Sequence, residues 1–177
     1  RDGRKFIDHF PPEVIAAQNN TDMRLTLKNG SIYQVVGTDN VDRLIGANPV
    51  GVIFSEYSVQ DPRAWDYIRP ILAENGGWAV FIYTARGRNH GYDLMNMARK
   101  NEKWFSQVLS IEDTRAVSAQ AIIDERESGM PEEMIQQEFY CSFDAPLVGS
   151  YYGNPMAKAL ADRRIVNVPY DPLLDVN

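Results

Sequence analysis

The stretch NPVGVIFSEYSVQDPRAW, residues 48–65, decides how the rest of this chain is read. Val50, Val52, Ile53 and Phe54 form an apolar run that stops on Ser55-Glu56-Tyr57. A run this short and this rich in β-branched and aromatic residues predicts a buried strand over Val50 to Ser55. Asp61 and Pro62 then supply an N-cap and a first-turn proline for a following helix. A carboxylate placed directly after such a strand has two readings. It opens a surface turn, or it stands outside the carboxyl end of a sheet strand, where open α/β sheets bind their ligands.

Downstream, Trp65, Ile68 and Leu72 fall at helical spacing, Asn75-Gly76-Gly77 ends the helix, and Pro70 is expected to kink or split it. WAVFIYT, residues 78–84, reads as a strand buried on both faces of a parallel sheet. ARGRNHG leads into an amphipathic helix carrying Tyr92, Leu94, Met95 and Met97. A strand is expected at KWFSQVLS, a helix from a Thr114 cap through Ser128 to Gly129, and a helix at PEEMIQQEF. YCSFD is short and strand-like, a helix is expected near Met156 to Asp162, and proline-rich extended chain follows. Upstream, PPEVIAAQNN reads as a short helix, and Lys28-Asn29-Gly30 between alternating runs predicts a β-hairpin from Met23 to Val36. TDNVDRLIGANP reads as a capped turn of helix. Strands alternating with helices place the chain in the α/β class, with mainly parallel strands.

Composition narrows the function. The chain has 177 residues, 44% apolar and 24% charged, enough for one domain with a proper core. No apolar run approaches the length of a membrane span and no signal peptide is visible, so a soluble intracellular protein is expected. One cysteine, Cys141, and two distant histidines, His9 and His90, argue against a zinc site. A net charge of −6 argues against a dedicated nucleic-acid module, though not against a local basic loop. The chain begins Arg1-Asp2-Gly3-Arg4, which reads as a cut or processed start, or as an internal piece of something longer.

Two strand tips carry candidate chemistry. The first is Glu56: nucleotide hydrolases use such a strand, the Walker B element, to hold Mg2+ and to orient water. The second follows FIYT, where Thr84, Arg86, Arg88, Asn89 and His90 fall within seven residues. A threonine there senses phosphate, and arginines neutralise transferring charge or contact nucleic-acid phosphate. A plain solvated loop is the competing reading. Glycine-lysine pairs are absent from the chain, so it holds no P-loop; a lipase elbow, a Rossmann fingerprint and an EF-hand loop are absent too. Trp65, Trp78, Trp104 and Phe105 are assigned to packing, Tyr151-Tyr152 to an interdomain seam, and Gln136-Gln137-Glu138 to a solvated helix face.

Taken in order, GSIYQVVGTDNVDRLIGANPVGVIFSEYSVQDPRAW, RPILAENGGWAVFIYTARGRNHGY and GMPEEMIQQEFYCSFDAPLVGSYYG resemble the large terminase subunit of tailed bacteriophages over almost the whole chain. That resemblance implies a DNA-packaging motor: an ATPase domain of the P-loop, glutamate-catalysis class, a three-layer sandwich, followed by an RNase H-like nuclease domain. Val50 to Phe54 then match the Walker B strand and Glu56 its catalytic glutamate, which polarises the water attacking the γ-phosphate. Ser55 stands where the family often has the aspartate of the Mg2+ shell. Thr84-Ala85-Arg86 match the coupling motif, and Arg88, Asn89 and His90 are implied phosphate or DNA contacts.

The same resemblance implies ATP and Mg2+ as cofactors. It implies double-stranded DNA, a portal protein and a small terminase subunit as partners, a ring of identical subunits, and a place in the host cytoplasm at the procapsid portal. The Walker A strand and loop would lie before Arg1 and the nuclease domain beyond Asn177. Residues 1–145 are then the C-terminal portion of an ATPase domain, and 146–177 a linker. The parent is expected to cut concatemeric DNA, and the isolated chain to be inactive. Two other readings stay open: a non-catalytic assembly or docking piece or prophage remnant, separated by nucleotide titration, and a helicase-like ATPase outside packaging, separated by unwinding assays.

Overall fold

The structure, a computed structural model, describes residues 5–38, 46, 48–144 and 152–166. The chain divides into two compact units, one of residues 1–52 and 60–79, the other of residues 53–59 and 80–177.

In the first unit, β1 (Ile15–Asn19), β2 (Arg24–Leu27) and β3 (Ile32–Gln34) form an antiparallel sheet in chain order. The hairpin predicted from Asn29-Gly30 is present: Thr26 pairs with Ile32, Leu25 with Tyr33, and Gly30 takes the positive φ of 86° that the turn needs. The helix expected over PPEVIAAQNN is not. Only Pro12–Val14 makes a 3-10 turn, and the chain then enters β1, pairing Gln18 with Leu25 and Asn19 with Arg24. Ladder bonds to β2 outweigh a weak local helical preference. Phe6 stacks on Tyr33 at 4.3 Å between ring centroids, and Leu25 is buried.

Helix α1 (Arg63–Asn75) follows as expected, with Asp61 Oδ1 accepting from the Arg63 amide at 3.0 Å. It buries Ala64, Ile68 and Leu72 along one stripe, with Trp65 half-buried beside them. Pro70 does not split it. Pro70 and Asp66, whose carbonyl loses its helical donor, both lie on the exposed side, where the carbonyl stays open to solvent rather than orphaned in a core. Gly76 ends α1 at a φ of 63°, and the Gly77 amide returns to the Leu72 carbonyl at 2.7 Å. A Cβ on Gly77 would stand 2.6 Å from the Val50 carbonyl oxygen, so the close approach needs glycine.

Strands β4 (Gly51–Ser55) and β5 (Trp78–Ile82) pair in a two-stranded parallel sheet. The expectation that residues 78–84 form a strand buried on both faces is corrected. In β5 exposure alternates: Trp78, Val80 and Ile82 are 55%, 42% and 58% exposed while Ala79 and Phe81 turn inward. The strand is covered on one face only, by the aromatic cluster described below.

The second unit adds α2 (His90–Arg99), α3 (Ile111–Thr114), α4 (Ala119–Glu127), α5 (Glu132–Glu138) and α6 (Gly153–Ala161). Ile122 of α4 and Ile135 of α5 are buried. Several expectations need correction here. KWFSQVLS and YCSFD form no strand, because neither finds a ladder partner among the described residues. The helix expected from a Thr114 cap through Ser128 starts later: Thr114 is the last residue of α3, Arg115 is left-handed at a φ of 50°, and α4 opens only at Ala119. Ser110 caps α3, and Ser118 caps α4 by accepting from the Ala121 amide. Phe105, assigned to the core, is 86% exposed; Trp104 is half-buried against Phe81. Gln137 is buried and Glu138 half-buried, so that helix face is not solvated.

The proposed turn of helix over TDNVDRLIGANP, Tyr151 of the proposed seam and the tail after residue 166 lie largely or wholly outside the described residues. Tyr152 is exposed. Among the described residues, no helix is long and apolar enough to cross a membrane.

Candidate functional site

All of the residues singled out at the two strand tips fall in the second unit. At the end of β4, Phe54 is buried while Ser55 and Glu56 are exposed. Glu56 has a φ of 57°, one of five non-glycine residues in the left-handed region among those described. For a residue with a Cβ this conformation costs roughly 1–2 kcal/mol, so the surrounding structure must enforce it. Immediately after it, Tyr57–Val59 make a 3-10 turn in which the Val59 amide donates to the Glu56 carbonyl at 3.0 Å.

The side chains that follow Glu56 turn inward. Tyr57 is buried and presents its ring edge-on to Phe81 at 4.8 Å, Tyr83 at 5.9 Å and His90 at 4.9 Å between centroids. Phe54 stacks flat on Phe81 at 4.8 Å. Each such pair is worth about 0.5–1.5 kcal/mol beyond the area it buries. This cluster is the floor on which both strand tips rest.

Above it the two tips are tied by hydrogen bonds. Ser58 Oγ donates to the Thr84 carbonyl at 2.7 Å, joining the segment after β4 to the segment after β5. Asn89 Nδ2 donates to the Ser58 carbonyl at 2.7 Å, while its Oδ1 accepts from the Gly91 amide at 2.9 Å and caps α2. His90 Nε2 lies 2.8 Å from the Tyr57 carbonyl; a carbonyl only accepts, so that nitrogen carries the proton. Tyr83 donates its hydroxyl to the Gly91 carbonyl at 2.7 Å, and burial, with a smaller contribution from Tyr57, pushes its pKa up to about 12.

The loop between β5 and α2 brings Thr84, Ala85, Arg86, Arg88, Asn89 and His90 together, as the sequence order implied. Ala85 is buried, and the two arginines are engaged within the chain. Arg86 pairs with Glu138 of α5, both partly buried. Arg88 Nε donates to Asp144 at 2.7 Å and lies over the Tyr92 ring at 5.4 Å, and the bond to Asp144 raises its pKa further. Sequence reasoning missed Ser58, Glu138 and Asp144. The first is separated from its partner by 26 residues and the last from Arg88 by 56, so no local pattern marks them. Asn89 two residues before Gly91 did carry an N-cap signal.

For Mg2+, the donors at the first tip are the Ser55 hydroxyl and the Glu56 carboxylate, adjacent, exposed and both hard oxygen ligands. That donor set fits a cation which keeps several waters and takes one or two carboxylates plus substrate phosphates. No cluster of three or more His, Cys, Asp or Glu residues suited to a metal occurs among the described residues.

The fold that carries these tips is similar to that of a phage large-terminase ATPase domain. The chain matches the ATPase domain of the large terminase of Thermus phage P74-26 in a point-mutant form, at a TM-score of 0.61 and 20% identity, over 74% of this chain and 64% of that one. A second structure of that domain matches at a TM-score of 0.56 and 19% identity with the same coverage, so the chain spans less than two thirds of the structures it matches. Identity this low establishes a shared fold. No protein-family model and no curated protein sequence matches the chain.

Proposed function

We propose that the chain is the Walker B and coupling portion of a packaging ATPase, from a protein that hydrolyses ATP to move double-stranded DNA into a procapsid. The observation that carries this reading is the terminase-like fold with a carboxylate, Glu56, exposed at the carboxyl end of a strand in which Phe54 is buried. In this reading Glu56 polarises the attacking water, and the Ser55 hydroxyl would help to hold Mg2+. Bound there, Mg2+ would neutralise charge on the phosphates. Thr84-Ala85-Arg86 couple hydrolysis to movement, the Ser58–Thr84 bond being a direct link between the acid's turn and that segment.

The loop that cradles the phosphates is not encoded in these 177 residues and comes, under this reading, from elsewhere in the parent protein. Arg86 and Arg88 are paired with Glu138 and Asp144, so in this reading phosphate or DNA competes with those carboxylates for them. The nuclease activity, the small subunit, the portal, the subunit ring and the place at the procapsid belong to the same proposal.

The test is Glu56→Gln in the parent protein. Nucleotide affinity should stay within about threefold while hydrolysis falls by roughly 100-fold or more, as expected on removing a water-activating group. Wild-type turnover in that variant rejects the reading. The isolated 177 residues should bind and hydrolyse no ATP; turnover by the purified chain would place a phosphate loop inside it.

A further inference from the structure

We propose that Asn89 and His90 are positioning residues for Glu56. Their side chains grip two consecutive main-chain carbonyls, Ser58 by Asn89 Nδ2 at 2.7 Å and Tyr57 by His90 Nε2 at 2.8 Å. Those carbonyls belong to the 3-10 turn that closes back on the Glu56 carbonyl through the Val59 amide. A residue with a Cβ does not stay at a φ of 57° unless its neighbours hold it. Ser55 precedes it at the end of the β4 ladder, and the turn that follows it is held by these two side chains.

Asn89 makes the grip rigid because one side chain does two jobs. Its Oδ1 is committed to the first turn of α2, so Nδ2 is presented to Ser58 with the helix as its base. His90 is fixed in turn by its ring edge against Tyr57. The start of α2 thereby sets the backbone after Glu56, and with it the direction of the carboxylate. The inference rests on the reading of Glu56 as the water-polarising group.

Variants separate this role from ordinary stabilisation. Asn89→Asp keeps the oxygen that caps α2 and removes the donor to Ser58. His90→Phe keeps the ring edge and removes the donor to Tyr57; His90→Gln restores an amide donor. Hydrogen exchange on the whole 177-residue chain reads the result. In Asn89→Asp and His90→Phe the Val59 amide should exchange about tenfold faster or more. The Asp93 amide, bonded to the Asn89 carbonyl, and the Leu27 amide, bonded within the hairpin, should change by less than about threefold. His90→Gln should recover most of the Val59 protection.

A Glu56→Gly background supplies the sharper readout. Glycine adopts positive φ freely, so the effect of Asn89→Asp on Val59 should shrink to less than about threefold there. In the parent ATPase, Asn89→Asp should lower kcat by about tenfold or more with KM for ATP within about threefold. Unchanged Val59 exchange, or equal loss at Val59, Asp93 and Leu27, overturns the proposal, as does an effect that persists undiminished in the Glu56→Gly background. If the exchange results hold while Glu56→Gln in the parent turns over normally, the grip stands and the catalytic reading it served is overturned.

Discussion

At the scale of single residues, the contacts beneath the second strand tip are tight enough to make small changes measurable. A Cβ on Gly91 would stand 2.9 Å from Tyr83 Cε2 and 3.2 Å from Asn89 Oδ1. Gly91→Ala therefore pushes against a half-buried ring and against the cap of α2, and should cost about 1–3 kcal/mol, read as a fall in the denaturation midpoint without change of slope. Tyr83 offers a pH test. Its pKa is raised from 10.0 to about 12, so the folded state binds the phenolic proton more tightly than the unfolded one. That contribution is complete below pH 10 and is lost as pH rises towards 12. Chemical denaturation across this window should show stability falling with pH in the wild type, and a shallower fall in Tyr83→Phe. Glu56 itself was legible because an acid after an apolar run is a local pattern. The left-handed backbone that presents it was not, since nothing within a few residues requires it.

At the scale of elements, α1 contains its own test. Pro70 interrupts the hydrogen-bond ladder on the exposed side, and the three buried residues Ala64, Ile68 and Leu72 hold the helix together regardless. Pro70→Ala should restore the bond to Asp66 and stabilise the chain by about 1–3 kcal/mol, seen as a higher thermal midpoint. Helices α4 and α5 are joined by Arg126 and Glu132, with Arg126 Nε donating at 2.8 Å. That bond and one from Gln136 hold the Glu132 carboxyl down to about 2, so the pair persists as pH falls through the ordinary carboxylate range and opens only near pH 2. Both partners are well exposed, so the check is the carboxyl titration of Glu132 by NMR rather than a large change in stability. Helix α5 and the hairpin were readable from local pattern and Asn-Gly, whereas the start of α4 was misplaced, Thr114 being read as the cap that Ser118 supplies. β1 was misread as helix because its strand character comes from pairing with β2, which residues 11–20 do not announce.

For the whole molecule, burial on one side only is the feature with the clearest consequence. Phe81 stacks with Phe54 and with Trp104, whereas Ile82, next to it, is 58% exposed. In the 177-residue chain Phe81→Ala should cost about 2–4 kcal/mol and Ile82→Thr less than about 0.5 kcal/mol. A strand covered on both faces would give comparable losses at the two positions, so denaturant titration of the pair separates the two pictures. The sequence of β5 is continuously apolar and could not distinguish them, because apolar residues favour a strand whether or not a partner layer covers it.

What the sequence by itself determined is local: an apolar strand ending in Ser55-Glu56, the turn at Asn29-Gly30, helix limits at Gly76 and Gly129, and a polar loop after β5. These follow from backbone preference and hydrophobic period, which act over a few residues. Only the tertiary structure decided that Ser58 bonds to Thr84, that Asn89 and His90 hold the turn after Glu56, and that Arg86 and Arg88 are engaged by Glu138 and Asp144. Each of those bonds joins residues roughly 26 to 56 positions apart, and a polar side chain takes its partner from whatever the packed aromatic cluster brings within reach.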